Sequence, residues 1–291
     1  MLKWLIRVNI VLVLILAVVA GRGLFFYSGF YHAPQIKMPD YEQITAQVTP
    51  PITQFSDNYT QGKGNVLIDV SHYNYFNEGE LNILILRLIS RGMTVNFFRG
   101  SDDLEKQLLG EEEDMSGGKL LPADAFIIVC PRSQFSKEDI EITDNFTSKG
   151  GKLLLIEDPT RSADNMNSLS IKFDLIFEPD YLYNMQENES NYRNIFITDF
   201  EENKITRDLK KIALYTAGSI SSVDDGIAFV GENTFSSVIE LREKLSPMVM
   251  TQESRVLAIY DLTFMTEPYN GILDNNQLIS NIADWLASPT K

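Results

Sequence analysis

The chain has 291 residues and a formal net charge of −15, from 40 acidic and 25 basic side chains, with two histidines and one cysteine. Three of the cations, Lys3, Arg7 and Arg22, stand at the N-terminus, so the remainder is near −18. A surface this acidic excludes a nucleic-acid partner read through its phosphates and a domain lying flat on anionic lipid. Its plain role is solubility, and its sharper one is attraction of a basic protein.

A single thiol rules out an intrachain disulfide, so the fold relies on its core. His32 stands near the apolar N-terminal stretch, leaving His72 as the only imidazole of the soluble part. A zinc centre with two or three histidine ligands is therefore excluded, and no metal or other cofactor is expected.

Trp4 to Ala20 is apolar except for Arg7 and Asn9, and Leu24 to Tyr31 is apolar again. Val8–Gly21 alone is short for a span, which needs roughly 20 residues. Trp4–Ile6 lengthens it, Lys3 and Arg7 can snorkel inward, and Phe25, Phe26, Tyr27, Phe30 and Tyr31 suit the far interface. Residues 1–31 thus read as one transmembrane anchor. Lys3 and Arg7 put the N-terminus in the cytoplasm and the large domain outside it. The alternative is a signal peptide cleaved before Gly21, with Val18 and Ala20 at the cleavage site. The aromatic belt beyond that site favours the retained anchor; Arg22 fits it least.

Residues 32–63 are rich in Pro, Gln, Thr and Asp and read as a stalk, with a short helix expected near Tyr41–Gln47. The domain, 64–291, opens on Val66–Val70, a short β-branched strand. Glu78–Arg91 places Leu81, Leu84, Ile85, Leu88 and Ile89 at helical spacing, and Gly92 stops it. Thr94–Phe98 is a second strand, and Asp102–Leu109 a polar helix. Gly110–Gly118 holds Glu111, Glu112, Glu113 and Asp114. It lacks the alternating oxygen ligands of a calcium loop and reads as a solvated acidic loop.

Ala125–Cys130 is a third strand, Ser136 caps a helix running to Lys149, and Lys152–Ile156 is a fourth strand. This β-α-β-α-β-α-β order with short connections means an α/β, flavodoxin-like, mostly parallel sheet with helices on both faces. Further strands are expected at Leu175–Glu178, Ile195–Thr198, Ile212–Tyr215, Ile227–Val230 and Val256–Tyr260, with a closing helix at Asn276–Leu286. Asp180–Asn194 reads as an insertion over one end of the sheet.

In such a sheet the carboxyl ends of the strands gather ligands. The first turn carries Asp69, Ser71, His72 and Asn74; the third Cys130, Pro131 and Arg132; the fourth Glu157, Asp158, Thr160 and Arg161; the last Asp261 and Thr263. These groups are expected to converge in one cleft for a ligand or partner. Each also has a duller role: His72 bonding its own turn, Asp69 bracing a loop, Asp158-Pro159 forming a turn, Cys130 packing as a small hydrophobe. Arg132 and Arg161 can pair with nearby acids or with an anionic ligand.

The runs Ile68-Asp69-Val70-Ser71-His72-Tyr73-Asn74, Ala123–Pro131 and Gly150–Pro159 resemble class I glutamine-amidotransferase-like domains. More narrowly, they resemble a membrane-anchored branch related to accessory components of gliding-type ABC transporters and to a domain of an intraflagellar transport protein. Ile259-Tyr260-Asp261-Leu262-Thr263, followed by Asp274-Asn275-Asn276, adds to the likeness, which spans roughly 64–287.

The departures are decisive. The family's nucleophilic cysteine follows the strand that here ends in Glu157-Asp158-Pro159, where neither cysteine nor serine occupies the elbow. No histidine follows His72 to serve as the family's late catalytic base. The resemblance implies an amidotransferase-like scaffold without the triad: a non-catalytic, extracytoplasmic accessory subunit of a membrane complex, associated with an ABC transporter or a MoxR-type AAA ATPase. Two alternatives stay open. One is a small anionic or sugar-like solute held by Arg132, Arg161 and the polar turn. The other is a hydrolase in which Asp69 or Asp158 orients His72 as base for Cys130 or Ser71. The triplets at Asn58, Asn145 and Asn188 are potential glycosylation acceptors.

Overall fold

The computed structural model describes residues 2–28, 31–32, 55–110, 112–113, 119–120, 122–161, 165–223, 226–239, 244–251 and 253–289. The helix expected near 41–47 and most of the acidic loop lie outside them. Two units are distinguished, 1–46 and 47–291. The first contains α1 (Leu2–Tyr27), whose stretch Trp4–Tyr27 has a mean hydropathy of 2.4. At 1.5 Å per residue it is about 36 Å long, enough to cross a bilayer core of about 30 Å. By length and composition it is a candidate membrane anchor or signal sequence.

The second unit opens on β1 (Gly64–Asp69), followed by α2 (Asn82–Ser90) and β2 (Met93–Phe98). The helix expected from Glu78 starts as a 3₁₀ turn, Glu78–Leu81, and becomes α-helical at Asn82. Leu81, Leu84 and Leu88 are buried, whereas Ile89 is 53% exposed, one step of about 100° round the helix from that stripe. Gly92, at φ +85°, makes the left-handed exit. Next come α3 (Leu104–Leu109), capped by Asp103, and a two-residue hairpin of β3 (Glu112–Glu113) and β4 (Lys119–Leu120). Then follow β5 (Ala125–Val129), α4 (Lys137–Ser148), β6 (Lys152–Ile156) and α5 (Asn167–Ser170). Ser136 and Asp139 form a reciprocal capping box on α4, each accepting the other's backbone N–H at 3.1 Å.

The second half contains β7 (Leu175–Phe177), β8 (Leu182–Asn184), β9 (Asn194–Phe200), β10 (Ile212–Tyr215) and β11 (Ile220–Ser222). It continues with β12 (Gly226–Val230), β13 (Thr234–Ser236), β14 (Met248–Thr251), β15 (Val256–Ile259) and α6 (Asn275–Ala287). Among the described residues, nine strands form one sheet in the order β10-β9-β12-β14-β15-β6-β5-β1-β2. The five from β2 to β15 are parallel, and the other four extend the sheet antiparallel.

Two expectations need correction. Leu175–Phe177 is a strand but pairs with β11 in a separate ribbon. β14, absent from the sequence reading, joins β15 to the antiparallel half. The region read as an insertion does contain an excursion, β8, which pairs with β13.

Helices cover both faces. Val66, Ile68, Ile127, Leu154 and Ile259 pack with α2 and α6. Leu67, Phe126, Ile128, Leu153 and Leu155 pack with α3, α4 and α5. Burial on both faces explains why these strands are continuous apolar runs rather than alternating ones. Each fully buried Leu, Ile or Phe contributes roughly 1.5–3 kcal/mol. The parallel strands run β2-β1-β5-β6-β15, a flavodoxin-type order whose crossovers change direction between β1 and β5. That switch point is where such sheets leave a crevice at the carboxyl edge.

The folded unit takes in residues ahead of Gly64. Arg91 is completely buried, and its guanidinium pairs with Asp57 and Asp284. Gly62 N donates to Arg91 O at 2.6 Å.

Candidate functional site

Asp69 ends β1 at the switch point with no solvent exposure. Its Oδ1 accepts from Ser71 N (3.0 Å) and Ser71 Oγ (2.7 Å), and its Oδ2 from Asn74 Nδ2 (3.1 Å) and His72 Nδ1 (2.9 Å). A carboxylate only accepts, so Nδ1 is the donor in this bond. Asn74 also donates to Val129 O at 2.9 Å, tying the β1 turn to the end of β5. The His72 ring is buried and stacks on Phe135, centroids 3.9 Å apart. Nε2 stands 3.9 Å from Asp139 Oδ2, at the start of α4. This network is local in sequence, from a turn that closes on itself through Ser71 and Asn74.

A second network occupies the ends of β5, β6 and β15. Cys130 leaves its strand at φ +42° and is buried. Burial first, then the carboxylates of Glu157 and Asp158, push its thiol well above the usual range. Asp158 is saturated: Oδ1 accepts from Thr160 N at 2.9 Å and Oδ2 from Thr263 Oγ1 at 3.3 Å. Glu157 is buried beside it, and its Oε1 accepts from Asp158 N at 3.2 Å. Arg161 forks onto Glu80, with Nη1 to Oε2 at 2.8 Å, and the hydrogen bonds from Arg161 hold the Glu80 carboxyl below its usual range. Asp261, fully buried at the end of β15, accepts from Tyr215 N (2.6 Å) and Thr263 N (2.7 Å).

The expected groups lie along one edge as two side-chain networks, linked where Tyr75 N donates to Cys130 O at 2.8 Å, Arg132 N to His72 O at 2.9 Å and Arg161 Nη1 to Tyr75 O at 3.2 Å. The Arg132 side chain belongs to neither: it is exposed, with the guanidinium carbon 5.0 Å from the centre of the Tyr75 ring. Arg161 approaches the same ring at 5.8 Å. Tyr73, at φ +53°, is 80% exposed, and Tyr75 is 52% exposed. Sequence reasoning missed Tyr73, Tyr75, Glu80, Phe135 and Asp139. The Tyr-Asn-Tyr run after His72 was the available signal for the first two.

Chemically, Asp69 orients His72 as an Asp–His pair does, but among the described residues no nucleophile is presented to Nε2. The Ser71 hydroxyl lies 2.9 Å from Nδ1 and donates to Asp69. Among the described residues, no group of three or more His, Cys, Asp or Glu is placed to hold a metal ion.

No protein-family model and no curated protein matches this sequence. Among solved structures, the domain is similar to the mmIFT52 N-terminal domain, with a TM-score of 0.61 and 14% identity, covering 78% of this chain and 99% of that one. The likeness is one of fold. A thua-like protein from Parabacteroides merdae aligns at a TM-score of 0.43 and 11% identity, over 79% of this chain and 91% of that one.

Burial, and then the neighbouring Asp158 charge, raise the Asp261 carboxyl well above its usual value. A raised carboxylate stabilises the fold at low pH and loses that contribution as pH rises through its folded value. Asp261→Asn removes the titration. The stability of this variant relative to wild type is expected to rise as pH is taken from about 4 to 8, measured by urea unfolding. A flat difference would show that Asp261 titrates normally.

Proposed function

We propose that the protein is a membrane-tethered, non-catalytic accessory domain whose strand-end edge docks a protein partner. One observation carries this reading: the titratable groups of the edge are turned onto one another, while Tyr73, Tyr75 and Arg132 face solvent. Tyrosine and arginine are the residues on which binding energy concentrates at protein interfaces. The acidic surface around them favours a basic partner and fast encounter.

The apolar N-terminal helix supports tethering, and Lys3 and Arg7 support a cytoplasmic N-terminus with the domain outside. The sequence resemblance to triad-less amidotransferase-like accessory proteins points to ABC-transporter or MoxR-type ATPase complexes. The hydrolase alternative is not favoured, because Ser71 lies on the Nδ1 side and the Cys130 thiol is buried among carboxylates.

The test is crosslinking mass spectrometry on native membranes, comparing wild type with Tyr73→Asn, Arg132→Ser. Asparagine tolerates the positive φ at position 73, so the fold is preserved. Wild type is expected to link repeatedly to one membrane complex. The variant should lose about 2 kcal/mol or more of that affinity with its melting temperature unchanged. Self-links only, or undiminished capture by the variant, would refute the docking edge.

A further inference from the structure

A cavity of about 300 Å³ opens at the same carboxyl edge, lined by Pro159, Thr160, Pro179, Asp180, Tyr181, Arg193, Thr216 and Tyr260. The turn after β6, the end of β15 and the excursion before β9 build it, apart from the His72 network. Its one basic side chain is Arg193. In a chain with 40 acids and 25 bases, this guanidinium has no carboxylate within ion-pair distance among the described residues. Its carbon lies 4.3 Å from the centre of the Tyr181 ring and 5.5 Å from that of Tyr192. Its Nε is buried and meets no acceptor among the described residues. The rest of the guanidinium is open to solvent and interacts with the Tyr192 and Tyr181 side chains, which leaves Nε as its donor without a partner.

The backbone of Arg193 is fixed on both sides. Its N–H donates to Asn191 Oδ1 at 3.0 Å, and its carbonyl accepts from Thr216 N at 3.0 Å. The main chain at residue 193 is thus held beside the cavity.

We infer that this cavity binds a small monocarboxylate with a flat apolar body, its carboxylate on Arg193 and its body against Tyr181, Tyr260 and the two prolines. Planar guanidinium and planar carboxylate match in shape and charge. The wall also sets the charge of the ligand. Asp180 is buried there, and its oxygens are taken by Ser219 N and Ser219 Oγ, both at 2.8 Å, and by Ser236 Oγ. Arg193 is the one cation of the lining, which matches a single carboxylate better than a dianion. The volume lies at the lower end of the range of small-ligand pockets and leaves room for a one-ring carboxylate such as benzoate.

Ligand-observed NMR and calorimetry on the full chain in detergent test this, with benzoate, its neutral isostere benzamide, and inorganic phosphate. Benzoate is expected to bind, while benzamide and phosphate bind at least roughly tenfold more weakly, the loss of one charge-assisted hydrogen bond. Arg193→Gln should abolish the preference for benzoate over benzamide. Absence of benzoate binding, equal binding of benzamide or phosphate, or an unchanged preference in Arg193→Gln would each overturn the assignment. The benzoate–benzamide comparison needs only wild-type protein, so it stands even if the variant does not fold.

Discussion

Arg91→Met is expected to destabilise the folded domain by about 3 kcal/mol, read by urea unfolding. The guanidinium is fully buried and bonds Asp57 (3.0 and 3.1 Å), Asp284 (2.6 Å) and Ser280 Oγ (2.9 Å), with the Tyr59 ring at 4.7 Å. Removing one partner of a buried ion pair leaves the other charges uncompensated, typically a loss of 3–5 kcal/mol. The partial exposure of Asp57 and Asp284 argues for the lower end. Partial burial raises the Asp57 carboxyl, but hydrogen bonds from Arg91 and Ser280 outweigh it and hold the group below its usual value. A depressed carboxylate stabilises above its unfolded value and loses that contribution as pH falls through its folded one. The gap between wild type and variant should therefore narrow on acidification below about pH 4. A gap that holds constant would place the energy in packing instead.

Asp69→Ala should cost about 3 kcal/mol as well, since it strands four donors at once, two of them in the β1 turn backbone and hydroxyl of Ser71. Asp69→Asn should cost less, because one oxygen survives to accept. If both variants unfold like wild type, the turn owes its shape to Asn74 and to the stacking of His72 on Phe135 instead. Chemical denaturation of the three proteins side by side decides between these outcomes.

What was legible in the sequence follows from distance along the chain. Asp69, Ser71, His72 and Asn74 lie within six residues, so their mutual bonding is a property of one turn. The apolar runs of β1, β5 and β6 are read directly, because strands buried on both faces leave no polar positions to confuse the pattern. Arg161 meets Glu80 from 81 residues away, and Arg91 meets Asp284 from 193 away. No local pattern reports such pairs. β14 escaped notice because two of the four residues of Met248–Thr251 are methionines, which lack the β-branched or aromatic signature of a strand. β7 was recognised as a strand but not placed in its ribbon, since pairing partners are a tertiary choice.

Tension on the N-terminal side of this domain enters along residues 55–63 and must pass the Asp57–Arg91 clasp before it reaches β1. β1 lies inside the sheet, bonded in parallel to β2 along all six residues and to β5 along three. A pull along its axis loads those bonds in shear, together, rather than peeling them one by one from an edge. A chain arranged in this way resists extraction from its N-terminal side more stiffly than at β10 or β2, the outermost strands of the sheet among the described residues.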